Sequence, residues 1–194
     1  MRIGLVDVDG HNFPNLALMK LSAWHKRRGD TVEFADPAAR RYDKVYMSKV
    51  FTFSRDCTDR YDCEVVRAGT GYRDYATILP EEIEHICPDY SLYGVKEAYG
   101  FLTRGCVNRC SWCVVPHKEG EVRAHADNEE FLDGHKALLY YPFAGGIDMR
   151  IKTWVAPADW RLVASYYGKK DKAQKAAIVR DFKEGTKRMI VATK

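Results

Sequence analysis

The stretch "RIGLVDVDGHNFPNLALMKLSAWHKRRGDTVEF", Arg2 to Phe34, decides the fold class. It opens with "RIGLVDV", Arg2 to Val8, a short apolar run rich in β-branched residues that reads as a buried strand. "NLALMKLSAWHKRRGD" follows. There Leu16, Met19, Ala23 and Trp24 recur at helical spacing, the last turn is basic, and Gly29 supplies a stop. "TVEFA" is then a second strand. Strand, helix and strand within roughly 35 residues form a βαβ unit. Two further runs, "KVYMSKVF" at Lys44–Phe51 and "CEVVRAGTGY" at Cys63–Tyr72, extend the same sheet. The N-terminal half is therefore expected to be α/β, a Rossmann-like open parallel sheet.

Beyond Tyr72 the pattern loosens. Tyr72 to Gly100 holds Pro80, Pro88 and several tyrosines, and reads as a connector in which "PEEIEHI" forms a short helix opening at Pro80. "YGFLTRGC" is expected as a strand. A helix in "ADNEEFLDGHK", a strand in "ALLYY" and a turn at Gly145–Gly146 into "IDMRI" come next. The expected domains are residues 1–75, a connector over 76–98, a core over 99–151 and an α/β tail over 152–194.

Of 194 residues, 46% are hydrophobic and 30% charged, an ordinary composition for a globular chain. No apolar run approaches the ~20 residues that cross a bilayer. The N-terminus lacks the basic region, apolar core and cleavage site of a signal peptide, so the expected compartment is cytoplasmic. Thiols stay reduced there, and clustered cysteines point to metal or catalysis before disulfides. A net charge of +4, from 31 basic against 27 acidic residues, does not by itself argue for nucleic acid.

Three of the six cysteines fall within eight residues of "RGCVNRCSWCVVPHKEG", at Cys106, Cys110 and Cys113. Three thiolates on one loop can take three irons of a cubane [4Fe–4S] cluster. Electron-transfer clusters take four cysteines, so a three-cysteine loop leaves one iron open to a chelating amine and carboxylate. A structural zinc site is the alternative, with His117 four residues after Cys113, although zinc hairpins favour two-residue gaps and the first gap here is three. Inert thiols are a further alternative. Cys57, Cys63 and Cys87 share no spacing and read as ordinary, partly buried residues.

"GFLTRGCVNRCSWCVVP" resembles the cluster loop of the radical S-adenosylmethionine (radical SAM) superfamily: the spacing agrees, and an aromatic residue, Trp112, precedes the third cysteine. The resemblance implies that Cys106, Cys110 and Cys113 hold a [4Fe–4S] cluster, that Trp112 packs over it, and that SAM binds the open iron. It implies reductive cleavage of SAM to a 5′-deoxyadenosyl radical that abstracts hydrogen from a substrate, small or macromolecular, with an electron donor such as flavodoxin or ferredoxin. The Gly-Gly-Glu type motif of that family is not visible, because Gly145–Gly146 continues into Ile147. "GGIDMRI" resembles a later strand of related proteins, which makes Gly145, Gly146, Asp148 and Arg150 candidate SAM or substrate contacts. Only 88 residues follow Cys106. A partial barrel of six βα units takes about 180, at ~30 per unit, so an incomplete radical SAM (β/α) partial barrel is expected.

The N-terminal half resembles the cobalamin-binding-type domain that precedes the radical domain in one group of these enzymes. Asp9 and His11 match the first two positions of the Asp-x-His-x-x-Gly cobalt-ligating motif, and Pro14 replaces the glycine. A plain helix entry, with Pro14 opening the helix and Asn15 solvated, is the preferred reading. Gly69 and Gly71 are either a tight turn or a close approach for a nucleotide tail. Arg104, Arg109, Lys118 and Arg123 read as a solvated rim of the cysteine loop.

The tail, "VASYYGKKDKAQKAAIVRDFKEGTKRMIVATK", is expected as strand, lysine-rich turn, amphipathic helix and strand, with Ala173, Ala177, Ile178 and Phe182 at core spacing. It resembles part of the second RecA-like domain of superfamily 2 helicases, with Phe182, Gly185, Ala192 and Thr193 in the Phe-x-x-Gly and Ala-Thr positions. No Walker A glycine loop occurs in the sequence. A zinc-stabilised structural or nucleic-acid-binding module, or an inactive fragment, is the competing expectation, and nucleic acid would enter only through this tail.

Overall fold

The computed structural model describes residues 1–10, 12–38, 41–127, 129–132, 136–140, 151, 157–167 and 169–192. They divide into two compact units, Met1–Val95 with Gly100–Asp133, and Lys96–Tyr99 with Gly134–Lys194.

The first unit is built on β1 (Arg2–Asp7), α1 (Leu16–Arg27), β2 (Thr31–Phe34), β3 (Lys44–Ser48) and β4 (Glu64–Ala68). The four strands form one parallel sheet in the order β2-β1-β3-β4. The chain steps from β1 to β2 on one side, then returns to place β3 on the other. Strand order thus reverses between β1 and β3, the place where open α/β sheets leave a crevice at their carboxyl ends. The expected α/β open parallel sheet is observed.

Alternation across β1 gives each face its core. Ile3 and Leu5 pack with Leu18 and Leu21 of α1 and with Ile83 of α2 (Glu81–Glu84). Val6 packs on the other face with Tyr42, Val45 and Met47, under Cys57, Tyr61 and Cys63. Burial pushes the Cys57 and Cys63 thiols up, the behaviour of packing residues and not of nucleophiles.

Helix α1 differs from expectation at its start. Asn15 is not solvated but 7% exposed. Its side-chain oxygen caps the helix by accepting from the Leu18 amide, and its Nδ2 donates to Ser48 Oγ at 2.8 Å. Pro14 sits one residue before the cap, where its missing N–H leaves no ladder position open. The helix ends in the basic turn His25–Arg27, and Gly29 follows at φ +83°.

A short strand, β5 (Glu97–Ala98), leads away into the second unit. The first unit resumes with β6 (Thr103–Arg104), α3 (Val115–Lys118), β7 (Arg123–Ala124) and α4 (Glu129–Leu132). β6 and β7 pair antiparallel.

The second unit is a parallel sheet in the order β5-β8-β10-β9, from β8 (Lys136–Tyr140), β9 (Val163–Tyr166) and β10 (Met189–Ala192). β10 is one of its two inner strands, and Met189, Ile190 and Val191 on it are buried. Helix α5 (Lys172–Glu184) joins β9 to β10 and starts with a reciprocal capping box between Asp171 and Gln174. Among the described residues no helix is long and apolar enough to cross a membrane.

Candidate metal centre

The cysteine loop is a hairpin loop closed at its base by the β6–β7 pair. Gly105 marks the exit from β6 at φ +80°, and a Cβ there would lie 2.1 Å from the Glu121 carbonyl oxygen. Only glycine allows the two arms of the hairpin to approach this closely. The Cys106 amide donates to the Gly120 carbonyl at 3.3 Å, and the Cys113 amide to the Cys110 carbonyl at 3.0 Å, which folds the last two cysteines into a turn. All six cysteines are free thiols, and the three on the loop are half-buried. Trp112 stands 86% exposed between them.

Glu119 clasps the hairpin. Its carboxylate accepts from the Gly105 amide at 3.1 Å and from Arg104 at 3.3 Å, while Arg123 donates to its carbonyl. Two further ties reach the rest of the unit. Lys118 Nζ donates to Thr70 Oγ1 at 3.0 Å, at the turn that follows β4. Arg104 Nη2 donates to Glu84 Oε1 at 2.7 Å, on α2. Of the expected rim, Arg109 is exposed in an ion pair with Glu121, but Arg104 and Lys118 are anchors. Their reach across the loop base to a carboxylate and a hydroxyl explains the departure.

Glu84 is the centre of a mostly buried charge network. Lys20 of α1 is 1% exposed and donates to the Glu84 backbone carbonyl, with its Nζ also 3.3 Å from Glu84 Oε1 and 3.8 Å from Glu130 Oε1. An ionised carboxylate can only accept, so His125 Nε2 donates to Glu84 Oε1 at 2.9 Å, and His85 Nδ1 to Glu130 Oε2 at 3.0 Å. The two imidazoles lie 5.0 Å apart. Burial pushes the Glu84 carboxyl up, but the Arg104 hydrogen bond and the Lys20 and Arg104 charges outweigh it and hold it below the ordinary range. Burial lowers Lys20 and His125, with Glu84 pulling both back only in part.

At the carboxyl end of the sheet, both oxygens of Asp9 accept backbone amides, from Val50 at 2.5 Å and Phe51 at 3.1 Å. The carboxylate that would orient a cobalt-ligating histidine is thus committed to the chain, and His11 lies outside the described residues. Gly69 and Gly71 are glycines because Lys49 passes over them. A Cβ would meet the Lys49 carbonyl oxygen at 2.3 Å in one case and its Cγ at 2.4 Å in the other. The tight-turn reading accounts for both.

Gly145, Gly146, Asp148 and Arg150 lie outside the described residues. Among the described residues no three His, Cys, Asp or Glu side chains converge to hold a single metal ion. Sequence reasoning missed Lys20, Glu84, Glu119 and His125. Lys20 alone carried a signal, since it lies four residues from both Leu16 and Trp24, on the apolar stripe of α1.

Fold and site together define an α/β protein with an open parallel sheet and a three-cysteine hairpin loop clasped to it. Comparison with protein-family models, with curated proteins and with solved structures finds no match to the chain.

Proposed function

We propose that the chain is an iron–sulfur protein of the radical SAM type, with Cys106, Cys110 and Cys113 as ligands of a [4Fe–4S] cluster and SAM on the remaining iron. The observation that carries this reading is the Cys-x3-Cys-x2-Cys loop itself, three half-buried free thiols on one hairpin. A tetrahedral zinc site closes four ligands about 2.3 Å from one ion, whereas a cubane spreads three cysteines over three irons. An unpaired set of three soft donors therefore fits a cluster. When bound, the cluster would supply the electron that cleaves SAM and opens hydrogen abstraction from substrate.

The chain's own residues have positioning work in this reading. Glu119 and Gly105 hold the loop ends together, Arg104 and Lys118 fix the loop against α2 and the β4 turn, and Trp112 would pack over the cluster and limit water there. The Rossmann-like sheet precedes the loop in sequence, and the incomplete barrel of this reading would be built from residues 99–151. An acidic electron donor such as flavodoxin or ferredoxin would have to dock at the loop in competition with Glu121, which pairs with the exposed Arg109 at 2.9 Å.

The test is anaerobic reconstitution with iron and sulfide, followed by visible absorption and EPR with and without SAM. A brown protein whose reduced-cluster signal shifts on adding SAM is the expected result, lost in Cys113→Ala. A colourless protein that takes up one zinc would overturn the reading and make the loop a structural clip.

A further inference from the structure

The base of the cysteine hairpin brings two imidazoles together. His125 follows β7 on the hairpin, and His85 follows α2, against which the hairpin rests. The rings lie 5.0 Å apart, tilted by 47°. Each donates to a carboxylate, His125 Nε2 to Glu84 Oε1 at 2.9 Å and His85 Nδ1 to Glu130 Oε2 at 3.0 Å. His85 is exposed, whereas only 13% of the His125 side chain is. Imidazole is the side chain whose charge changes in mild acid.

The same two carboxylates already face fixed cations. Lys20 of α1 lies 3.3 Å from Glu84 Oε1 and 3.8 Å from Glu130 Oε1, and Arg104 of β6 donates to Glu84 at 2.7 Å. With neutral imidazoles, Glu84 and Glu130 balance Lys20 and Arg104. Two added protons set four cations against two carboxylates, with two imidazolium rings 5.0 Å apart across the seam. Glu119 offsets one of the surplus charges at Arg104 Nη1, 3.3 Å away, and the rings still face one another. Burial first, and then the Arg104 and His85 charges, lower His125 against the pull of Glu84.

From this arrangement we infer that the imidazole pair is an acid-operated latch, which releases the base of the cysteine hairpin from α2 when both rings are protonated. Arg104 leaves with the hairpin, because Glu119 and the Phe101 ring, centred 4.5 Å from its Cζ, hold it on that side. His125 leaves with it, tied by its amide to the Leu102 carbonyl at 2.9 Å. Both contacts to Glu84 are then lost together. The Lys118 bond to Thr70 involves no imidazole and remains as the pivot. None of the latch groups lies on β1 to β4, so the parallel sheet stays paired. The open form takes up a proton at His125 below about pH 6.5 that the closed form resists, so closure is complete above that value and weakens below it. The consequence for a bound cluster rests on the function proposed above: its ligands become exposed, and iron is lost in mild acid.

The test is hydrogen–deuterium exchange of the full, metal-free chain at about pH 7.5 and about pH 5.5, with rates corrected for intrinsic exchange. One imidazole kept neutral in the closed form raises the open fraction up to about tenfold at one pH unit below its ordinary value. Protection across residues 101–126 is therefore expected to fall by about that factor at the lower pH, while β1 and β3 keep theirs. His125→Gln retains a donor for Glu84 without the charge, and should limit the fall to about twofold or less. His85→Gln removes the facing charge and should give an intermediate fall of about threefold. Far-ultraviolet circular dichroism checks that each variant is folded, and His85→Gln carries the comparison if His125→Gln is not. Three results would overturn the proposal: hairpin protection unchanged between the two pH values, a fall undiminished in the folded variants, or β1 and β3 losing protection in step with the hairpin. Iron retention at both pH values is read separately on reconstituted protein. A chain that takes up no cluster therefore sinks the cluster reading and leaves the exchange result standing.

Discussion

Glu84 holds together four segments that are distant in sequence: α1 through Lys20, β6 through Arg104, the residue after β7 through His125, and its own α2. Removing one partner of a buried ion pair strands the other charge, and the penalty is about 3–5 kcal/mol. Glu84→Ala leaves the buried Lys20 ammonium with the residue-84 backbone carbonyl and, as counter-charge, Glu130 at 3.8 Å, so a loss in that range is expected by urea denaturation. Lys20→Met is expected to be milder, because Glu84 keeps Arg104 and His125 and the thioether fills the lysine's apolar path. Equal losses would show that Lys20 is not held as a cation. Gly105 makes a second case. Its positive φ and the Glu121 carbonyl beside it forbid a side chain, so Gly105→Ala should open the hairpin and reduce iron bound after reconstitution, while the parallel sheet keeps its circular dichroism. Little of this was legible in the sequence. The cysteines and their spacing were. Glu84 and Glu119 were not, since a carboxylate's worth depends on partners fourteen or more residues away.

The elements of the N-terminal sheet were readable because β1, β3 and β4 are apolar, short and separated by a helix or turn signals. Their boundaries moved by only a few residues. The elements around the cysteine loop were not so readable. "YGFLTRGC" was expected as a strand, yet only Thr103 and Arg104 pair. The Glu119 clasp and the turn at Cys110–Cys113 satisfy the following backbone instead, leaving nothing for a longer ladder to accept. Similarly, "ADNEEFLDGHK" is helical only at Glu129–Leu132 among the described residues. In the tail, the strand–helix–strand pattern was read correctly, and β8 joins the same sheet through β10. Helix α1 depends on one cap. Asn15 satisfies the Leu18 amide and the Ser48 hydroxyl together, so Asn15→Ala should destabilise the unit by about 1–2 kcal/mol, at the upper end for a cap, because the site is buried. Asn15→Asp should recover part of that loss through the retained cap oxygen. Denaturant midpoints of the three proteins order the effects, and an unaffected Asn15→Ala would mean that the helix start is held by packing alone.

At the scale of the whole molecule, the buried charges make stability depend on pH in a direction the structure fixes. Burial holds His125 below its ordinary value, with the Arg104 and His85 charges acting the same way and Glu84 opposing them. The folded state therefore keeps this imidazole neutral while the unfolded chain takes up a proton below about 6.5. The unfolded state binds more protons in that window, so stability falls as pH drops from about 6.5 toward the folded value. Glu84 and Asp89 act lower down. Burial pushes both carboxyls up, but Arg104, Lys20 and His125 on the first, and Lys26, Ser22 and Ser91 on the second, bring them below their ordinary values. Their contribution is complete above about pH 4 and disappears as pH falls through their folded values. Acid unfolding should thus begin with a shallow limb in the imidazole range and steepen in the carboxylate range. Lys20 reinforces the upward trend at the other extreme. Its value is lowered by burial, so stability gains as pH rises toward about 10.4. His125→Gln keeps a side-chain donor for Glu84 and removes the titration. It should flatten the limb between about pH 6.5 and 5 while leaving the carboxylate limb in place. Urea midpoints taken across that range check the assignment, and a limb that survives in His125→Gln would place the proton elsewhere.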